Sequence, residues 1–536
     1  MSLSTKSTGD FSGSETDPSK LRVVIQCFGS RGDVQPHVAL GVAMKKRGHE
    51  VCIFGSANHG PLAESMGLSF YALFEDFEHS IRTHADCLES MQNGNLQGFI
   101  RYFTSDELRQ LRAEQIGPYM KNLREFQPDI ILSGVGATYF GEIARHCLKI
   151  PVIGSRLSSA PIDGSRSPWG LPHLPFGMSK LLINFLEKSA YDADLKLDKI
   201  ACEVTGRRLY GKVVTRKNWS GSWQVPPRDF DLLAMSPQLC EVLYPGQHEN
   251  VVPTGAWVLQ SAAQTAEAKK GNANFGSAES LKNLEGFLQT HGAPVYMGWG
   301  SMVSGTPTEM TRFALKTLKL LDHPGIILGG FARLSPDLLG GDRSDEELLK
   351  FASEKVLFLP TAPHEALFPR CACLVHHGGA GTLNAALRSG VPSVITPVFF
   401  DQFDHAFLIE KLGSGKGTQQ LQKITAEQLA RTVESVLSDE KVRARAKEVA
   451  QEETRLNGIE TAVGLVEKFV SDKVRTGEWV RSLEEEEKER QRREKEPLTE
   501  RLTRVSGGLQ GAFAVVAVFV SLLLFFALQA GQTPFA

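Results

Sequence analysis

Two histidines and three glycines crowd into one short stretch, His376-His377-Gly378-Gly379-Ala380-Gly381-Thr382. Cys371 to Val375 before it is short and apolar, as a buried strand is, and Thr382 to Arg388 after it reads as a helix. The stretch therefore falls on a strand-to-helix turn. Such a turn suits an anion, because small residues let backbone N–H groups approach closely and the helix start presents unpaired donors and a partial positive charge. A packed turn around a buried histidine fits the same residues equally well. Downstream, Val391 to Pro397 reads as another strand and leads to Asp401-Gln402. Ligands of α/β sheets sit beyond the carboxyl ends of strands, so the turn and this polar pair would face one crevice. A third group lies far upstream, where the strand Leu21 to Phe28 runs into Gly29-Ser30-Arg31-Gly32-Asp33. At that place the Asp33 carboxylate either points into a crevice or caps the following helix.

The run HHGGAGT followed by GVPSVITPVFFDQF resembles the nucleotide-sugar signature of the GT-B glycosyltransferases that use UDP-sugars. It is most similar to the subgroup containing sterol 3-β-glucosyltransferases and bacterial antibiotic glycosyltransferases, and GSRGDVQP resembles that subgroup's first motif. The resemblance covers about residues 21–470. It implies an α/β fold of GT-B architecture, two Rossmann-like domains facing across a cleft. It further implies a UDP-sugar donor, UDP-glucose by preference, and an inverting transfer of the hexose to a hydroxyl of a lipid alcohol such as the 3-hydroxyl of a sterol. Carried over residue by residue, Asp33 is the general base. Ser301, His376, Gly378, Gly379, Ala380, Gly381 and Thr382 hold the donor's diphosphate, Phe358 stacks on uracil, and Asp401 and Gln402 hold sugar hydroxyls. The loop Ser158 to Gly177 is rich in Pro and Gly, and its Trp169 and Phe176 are candidates for an acceptor pocket. No cofactor and no metal are expected. The chain departs from the pattern at His37, after Gln-Pro, and at Asp404-His405, after Asp-Gln-Phe. A glycosyltransferase for another lipid or a polyketide-like molecule is the nearest alternative. A non-catalytic membrane-bound scaffold of the same fold is the alternative of a different class.

The elements that must position these groups follow from the rest of the chain. With 59 basic and 61 acidic residues the net charge is −2, so nothing advertises a nucleic-acid partner. The scattered cysteines suit buried thiols in a reducing compartment; Cys371-Ala372-Cys373 lacks the companions of a metal site, and Asp192-Ala193-Asp194 lies in a helical run, Lys180 to Ile200, not at the strand end that a metal-holding D-x-D needs. The turn after the first strand lacks G-x-G-x-x-G, which argues against a dinucleotide enzyme. Residues 1–20 are expected to be a disordered leader, 21–250 an acceptor-binding domain and 251–475 a nucleotide-sugar-binding domain. Residues 260–277 read as a linker, and Val442 to Val470 as one long helix. A charged linker over 476–504 then precedes the uncharged stretch 505–536. Gly511 to Leu528 would span about 27 Å as a helix, close to the thickness of a bilayer core. The expectation is a C-terminal transmembrane helix, a tail anchor holding the catalytic domains in the cytosol beside a lipid acceptor.

Overall fold

The computed structural model describes residues 20–95, 97–158, 178–214, 230–246, 250–272, 274–340 and 343–495. The first half builds a parallel sheet from β1 (Arg22–Gln26), β2 (Glu50–Ser56), β3 (Ser69–Phe74), β4 (Ile130–Gly134), β5 (Val152–Arg156), β6 (Asp231–Leu233) and β7 (Val251–Pro253), in the order β3-β2-β1-β4-β5-β6-β7. The second half builds another from β8 (Val295–Gly298), β9 (Gly325–Leu328), β10 (Val356–Leu359), β11 (Cys373–His376), β12 (Ser393–Ile395) and β13 (Gly415–Gly417), in the order β10-β9-β8-β11-β12-β13. Their short apolar runs become strands because helices cover both faces. Val23, Val24 and Ile25 of β1 are all fully buried, and each contributes roughly 1.5–3 kcal/mol through the apolar area it removes from water.

In each all-parallel sheet the strand order reverses at one place, between β1 and β4 and between β8 and β11. A crevice opens there beyond the carboxyl ends of the strands. The expected two-sheet α/β architecture is thus present. Between the sheets the chain differs from its sequence reading in detail. Residues within the expected linker form the helix Ser261–Lys269. The expected long helix is two, Glu440–Arg455 and Gly458–Phe469, because Asn457 caps the second by accepting from Glu460 N.

A helical insert after β3, made of Phe77–Thr83, Ala85–Asn93 and Gln97–Phe103, leaves the first sheet and packs on the second. Ile81, Cys87, Met91 and Phe99 share one apolar cluster with Val295, Met297 and Trp299. Polar contacts fix the seam: Gln420 Nε2 donates to Gly94 O at 2.7 Å, Gln422 Nε2 to Met91 O at 2.8 Å, and an Arg82 guanidinium N–H to Phe331 O at 2.8 Å.

The chain divides into two compact units, Met1–Arg475 and Thr476–Ala536. In the second, the helix Glu478–Lys495 is charged along its length. The expected transmembrane helix is not part of the fold: no helix among the described residues is long and apolar enough to cross a membrane, and 505–536 lies outside them.

Candidate active site

Helix α1 (Arg31–Lys46) starts directly beyond β1, and Asp33 is the third residue of its first turn. Its Oδ2 accepts from Ser30 N at 2.8 Å and Ser30 Oγ at 2.9 Å, so the carboxylate does serve the helix start. Among the described residues no protein donor reaches Oδ1, and the side chain is open to water. Capping and a chemical role therefore coexist, one oxygen for each. The carboxylate fits because residue 29 is glycine. At φ +127° a Cβ on Gly29 would stand 2.4 Å from Asp33 Oδ2. The surrounding walls strip part of the hydration from this water-facing carboxyl and push it up to about 6, against the two Ser30 hydrogen bonds that hold it down, and the Asp401 carboxylate adds to the rise.

The second component lies at the end of β11. Helix Ala380–Ser389 begins after Gly379 without a side-chain cap, so the amides of Ala380, Gly381 and Thr382 have no partner within the helix. His376 is fully buried at the strand end, its Nδ1 accepting from Gly378 N at 3.1 Å. The His377 imidazole also stands beside the turn. A Cβ on Gly379 would stand 2.4 Å from His377 Nε2, and one on Gly300 would stand 2.8 Å from His377 Cε1. Burial, with His405 nearby, pushes His377 down to about 4, and His376 lies well below the usual histidine range for the same reason. Both rings are neutral at physiological pH. His376 ends β11 and His377 follows it, and both are buried.

The other sequence candidates divide in the same way. Asp401 starts the helix Gln402–Leu412, and its carboxylate makes no hydrogen bond among the described residues. It lies near enough to Asp33 for the two charges to interact. Gln402 is occupied: its Oε1 accepts from Val398 N at 2.8 Å and Phe399 N at 3.1 Å, shaping the loop before Asp401. Ser301 follows β8 in the loop beside His377, after Gly300, whose carbonyl accepts from Phe331 N at 2.9 Å. Phe358 lies in β10, half-buried against the shared apolar cluster. Trp169 and Phe176 lie outside the described residues.

The two components meet. A Cβ on Gly381 would approach Gly32 O to 3.3 Å, so the first turns of α1 and of helix Ala380–Ser389 abut. An aromatic wall gathers on Phe28, just ahead of the Gly29–Asp33 turn: Phe28 meets Phe74 at 5.0 Å, Phe77 at 5.1 Å and Phe103 at 6.3 Å between ring centroids, each edge to face. Residues 23–153 match the Glycosyltransferase family 28 N-terminal domain, and residues 341–459 match the Erythromycin biosynthesis protein CIII-like C-terminal domain. The chain carries glycosyltransferase domains.

Relatives extend over both of these glycosyltransferase domains. A sterol 3-beta-glucosyltransferase of Eremothecium gossypii is 27% identical over 461 residues, 82% of this chain and 33% of that protein. The UDP-sugar-dependent glycosyltransferase 52 of Dictyostelium discoideum is 23% identical over 84% of this chain and 26% of its own length. The chain thus spans about a third or less of the length of these curated relatives. Among solved structures, the glycotransferase of kitacinnamycin aligns with a TM-score of 0.56 at 16% identity, covering 83% of this chain and 98% of that one. The spinosyn rhamnosyltransferase SpnG complexed with spinosyn aglycone aligns at 0.53 and 18%, covering 83% of this chain and 100% of its own. At such identities the likeness speaks for the fold alone.

The aromatic neighbours of Phe28, and His377, are not among the residues the sequence singled out. Phe74, Phe77 and Phe103 come from three separate elements, and only the fold brings them to Phe28.

Proposed function

We propose that this protein transfers glucose from UDP-glucose to a hydroxyl of a lipid alcohol, with the 3-hydroxyl of a sterol as the preferred acceptor. The observation that carries the reading is the juxtaposition of Asp33, Asp401 and the uncapped helix start at Gly379–Thr382 around one crevice. Asp33 Oδ1 takes the proton of the acceptor hydroxyl as its oxygen attacks the anomeric carbon from the face opposite UDP, giving a β-glycoside. The bond from that carbon to the diphosphate oxygen breaks, and the charge left on UDP is met by the free amides of Ala380, Gly381 and Thr382 and by neutral His377. Asp401 accepts from sugar hydroxyls. Phe358 stands on the base side of the donor, and Ser301 near the diphosphate. Gln402 acts one step back, by shaping the loop that presents Asp401.

The aromatic wall of Phe28, Phe74, Phe77 and Phe103 supports a flat, apolar acceptor. It suits a sterol and equally a polyketide-like ring system. The sterol is preferred on the relatives named above. The test is UDP release from UDP-glucose in the presence of a sterol, a ceramide or a flavonoid, with Asp33→Ala as control. Release with the sterol alone, abolished in the control, is the expected result. Release with the flavonoid alone moves the acceptor to the second class, and no release with any acceptor, while UDP binds, removes the glucosyl assignment.

A further inference from the structure

Gly378 is gripped at both of its backbone polar groups by imidazoles. Its N–H donates to His376 Nδ1 at 3.1 Å, and its C=O faces His405 Nδ1 at 2.6 Å. A carbonyl only accepts, so His405 carries its proton on Nδ1. An N–H only donates, so His376 carries its proton on Nε2. Gly378 itself has φ +89°, and a Cβ there would stand 2.7 Å from Ile395 Cγ2, so the peptide sits in a shape and a space that only glycine takes. His405 is 1% exposed, lies one turn into the helix Gln402–Leu412, and its own N–H donates to Asp401 O at 2.9 Å.

We infer that His405 is a positioning residue that joins the diphosphate turn to the helix presenting Asp401, and that donor affinity in this chain depends on its Nδ1–H. The inference rests on the glycosyl-transfer reading above. Its physical content is the direction of one carbonyl. The peptide after Gly378 leads directly into Gly379, the residue before the free amides. Held by His405, the Gly378 carbonyl points into the protein. Without that donor it is a buried acceptor lacking a partner, and a glycine-rich segment turns at little cost to expose it. A carbonyl turned into the crevice repels a diphosphate and draws the neighbouring amides away from it. The same side chain thus serves both ends of the donor, since the helix that carries it also sets the place of Asp401.

The test uses UDP titration calorimetry and steady-state kinetics on the full chain. His405→Leu is expected to weaken UDP binding and raise the KM for UDP-glucose by about tenfold or more, with the acceptor KM unchanged. His405→Asn, whose amide nitrogen falls near the place of Nδ1, is expected to stay within about threefold of wild type. A role in folding alone would instead lower the active fraction and the melting temperature and leave the UDP affinity of the folded molecules intact. That outcome overturns the inference, as does an Asn variant as weak as the Leu variant. Should neither variant fold, 15N-histidine spectra of the wild type decide: the His405 ring, assigned through correlations to its own Cβ and backbone, must show a protonated Nδ1, and a protonated Nε2 on His405 refutes the assignment. Lack of UDP binding by the wild type overturns the glycosyl-transfer reading together with this inference. Failure of the inference alone looks different, with wild type and His405→Leu binding UDP equally.

Discussion

Gly381 and Gly32 touch where the two halves of the molecule meet, with a Cβ on Gly381 placed 3.3 Å from the Gly32 carbonyl and 3.5 Å from its Cα. The contact sets the spacing between the carboxylate of Asp33 and the start of the helix Ala380–Ser389. Alanine at 381 needs the neighbour to give by a few tenths of an ångström, and valine needs the halves to part. Gly381→Val is expected to lower kcat/KM by about 10²-fold, the usual cost of a displacement of about 1 Å between reacting groups. Kinetics and a UDP titration on one preparation check it. An equal loss of UDP affinity would place the damage in the turn and not in the spacing.

With its carboxyl raised to about 6, Asp33 is protonated and idle as a base below that pH and ionised above it. The acceptor kcat/KM is therefore expected to rise with pH through about 6 and then level. Asp33→Asn should remove that limb and lower turnover by about 10²- to 10⁴-fold, with UDP binding retained. A pH–rate profile of both proteins is the measurement, and an unchanged limb in the variant would assign the titration to another group.

His377, held near 4, is neutral across the working range, so its contribution to the diphosphate does not vary between neutral and alkaline pH. His377→Ala is expected to weaken UDP binding by about 10- to 100-fold, as loss of a hydrogen bond to a charged group does. Calorimetry at two pH values above 6 should give the same ratio between wild type and variant.

Away from the crevice, burial pushes Glu365 up to about 7, offset in part by Arg388, whose Nε stands 3.9 Å away. A carboxyl raised in this way binds its proton more tightly in the folded chain than in the unfolded one. Stability therefore falls as pH rises from about 4.5 through about 7. Glu365→Gln should stabilise the protein by up to about 2 kcal/mol at pH 8 and by little at pH 4.5. Urea unfolding at both pH values tests the sign, and a larger gain at the lower pH would contradict it.

The turns at Gly29–Asp33 and Gly378–Thr382 were legible in the sequence because glycines and polar groups at strand ends are local signals. That a second imidazole, His377, also stands beside the turn was not, since it depends on how close Gly300 and Gly379 come to that ring in the fold. Gln402 was assigned to the sugar by the family resemblance; in the structure its Oε1 accepts from Val398 N and Phe399 N, a contact set by the loop's path that the sequence does not show. The insert Phe77–Phe103 carried no readable role, because its apolar residues answer to a sheet more than 190 positions downstream. The expectation for the tail rested on composition, a strong local signal; residues 505–536 lie outside the described ones, among which no helix is long and apolar enough to cross a membrane.

Ile81, Cys87, Met91 and Phe99 fill a core whose opposite wall is the second sheet, and this makes the two halves poor building blocks for recombination. A chimera spliced after Pro253 would bring helices shaped for one sheet against the surface of another, leaving apolar faces mismatched on both sides. A lineage that altered its acceptor by exchanging whole N-terminal halves would face that mismatch at once. Change in such a molecule is expected to proceed by single replacements along the aromatic wall, while the seam between insert and sheet is inherited as one piece.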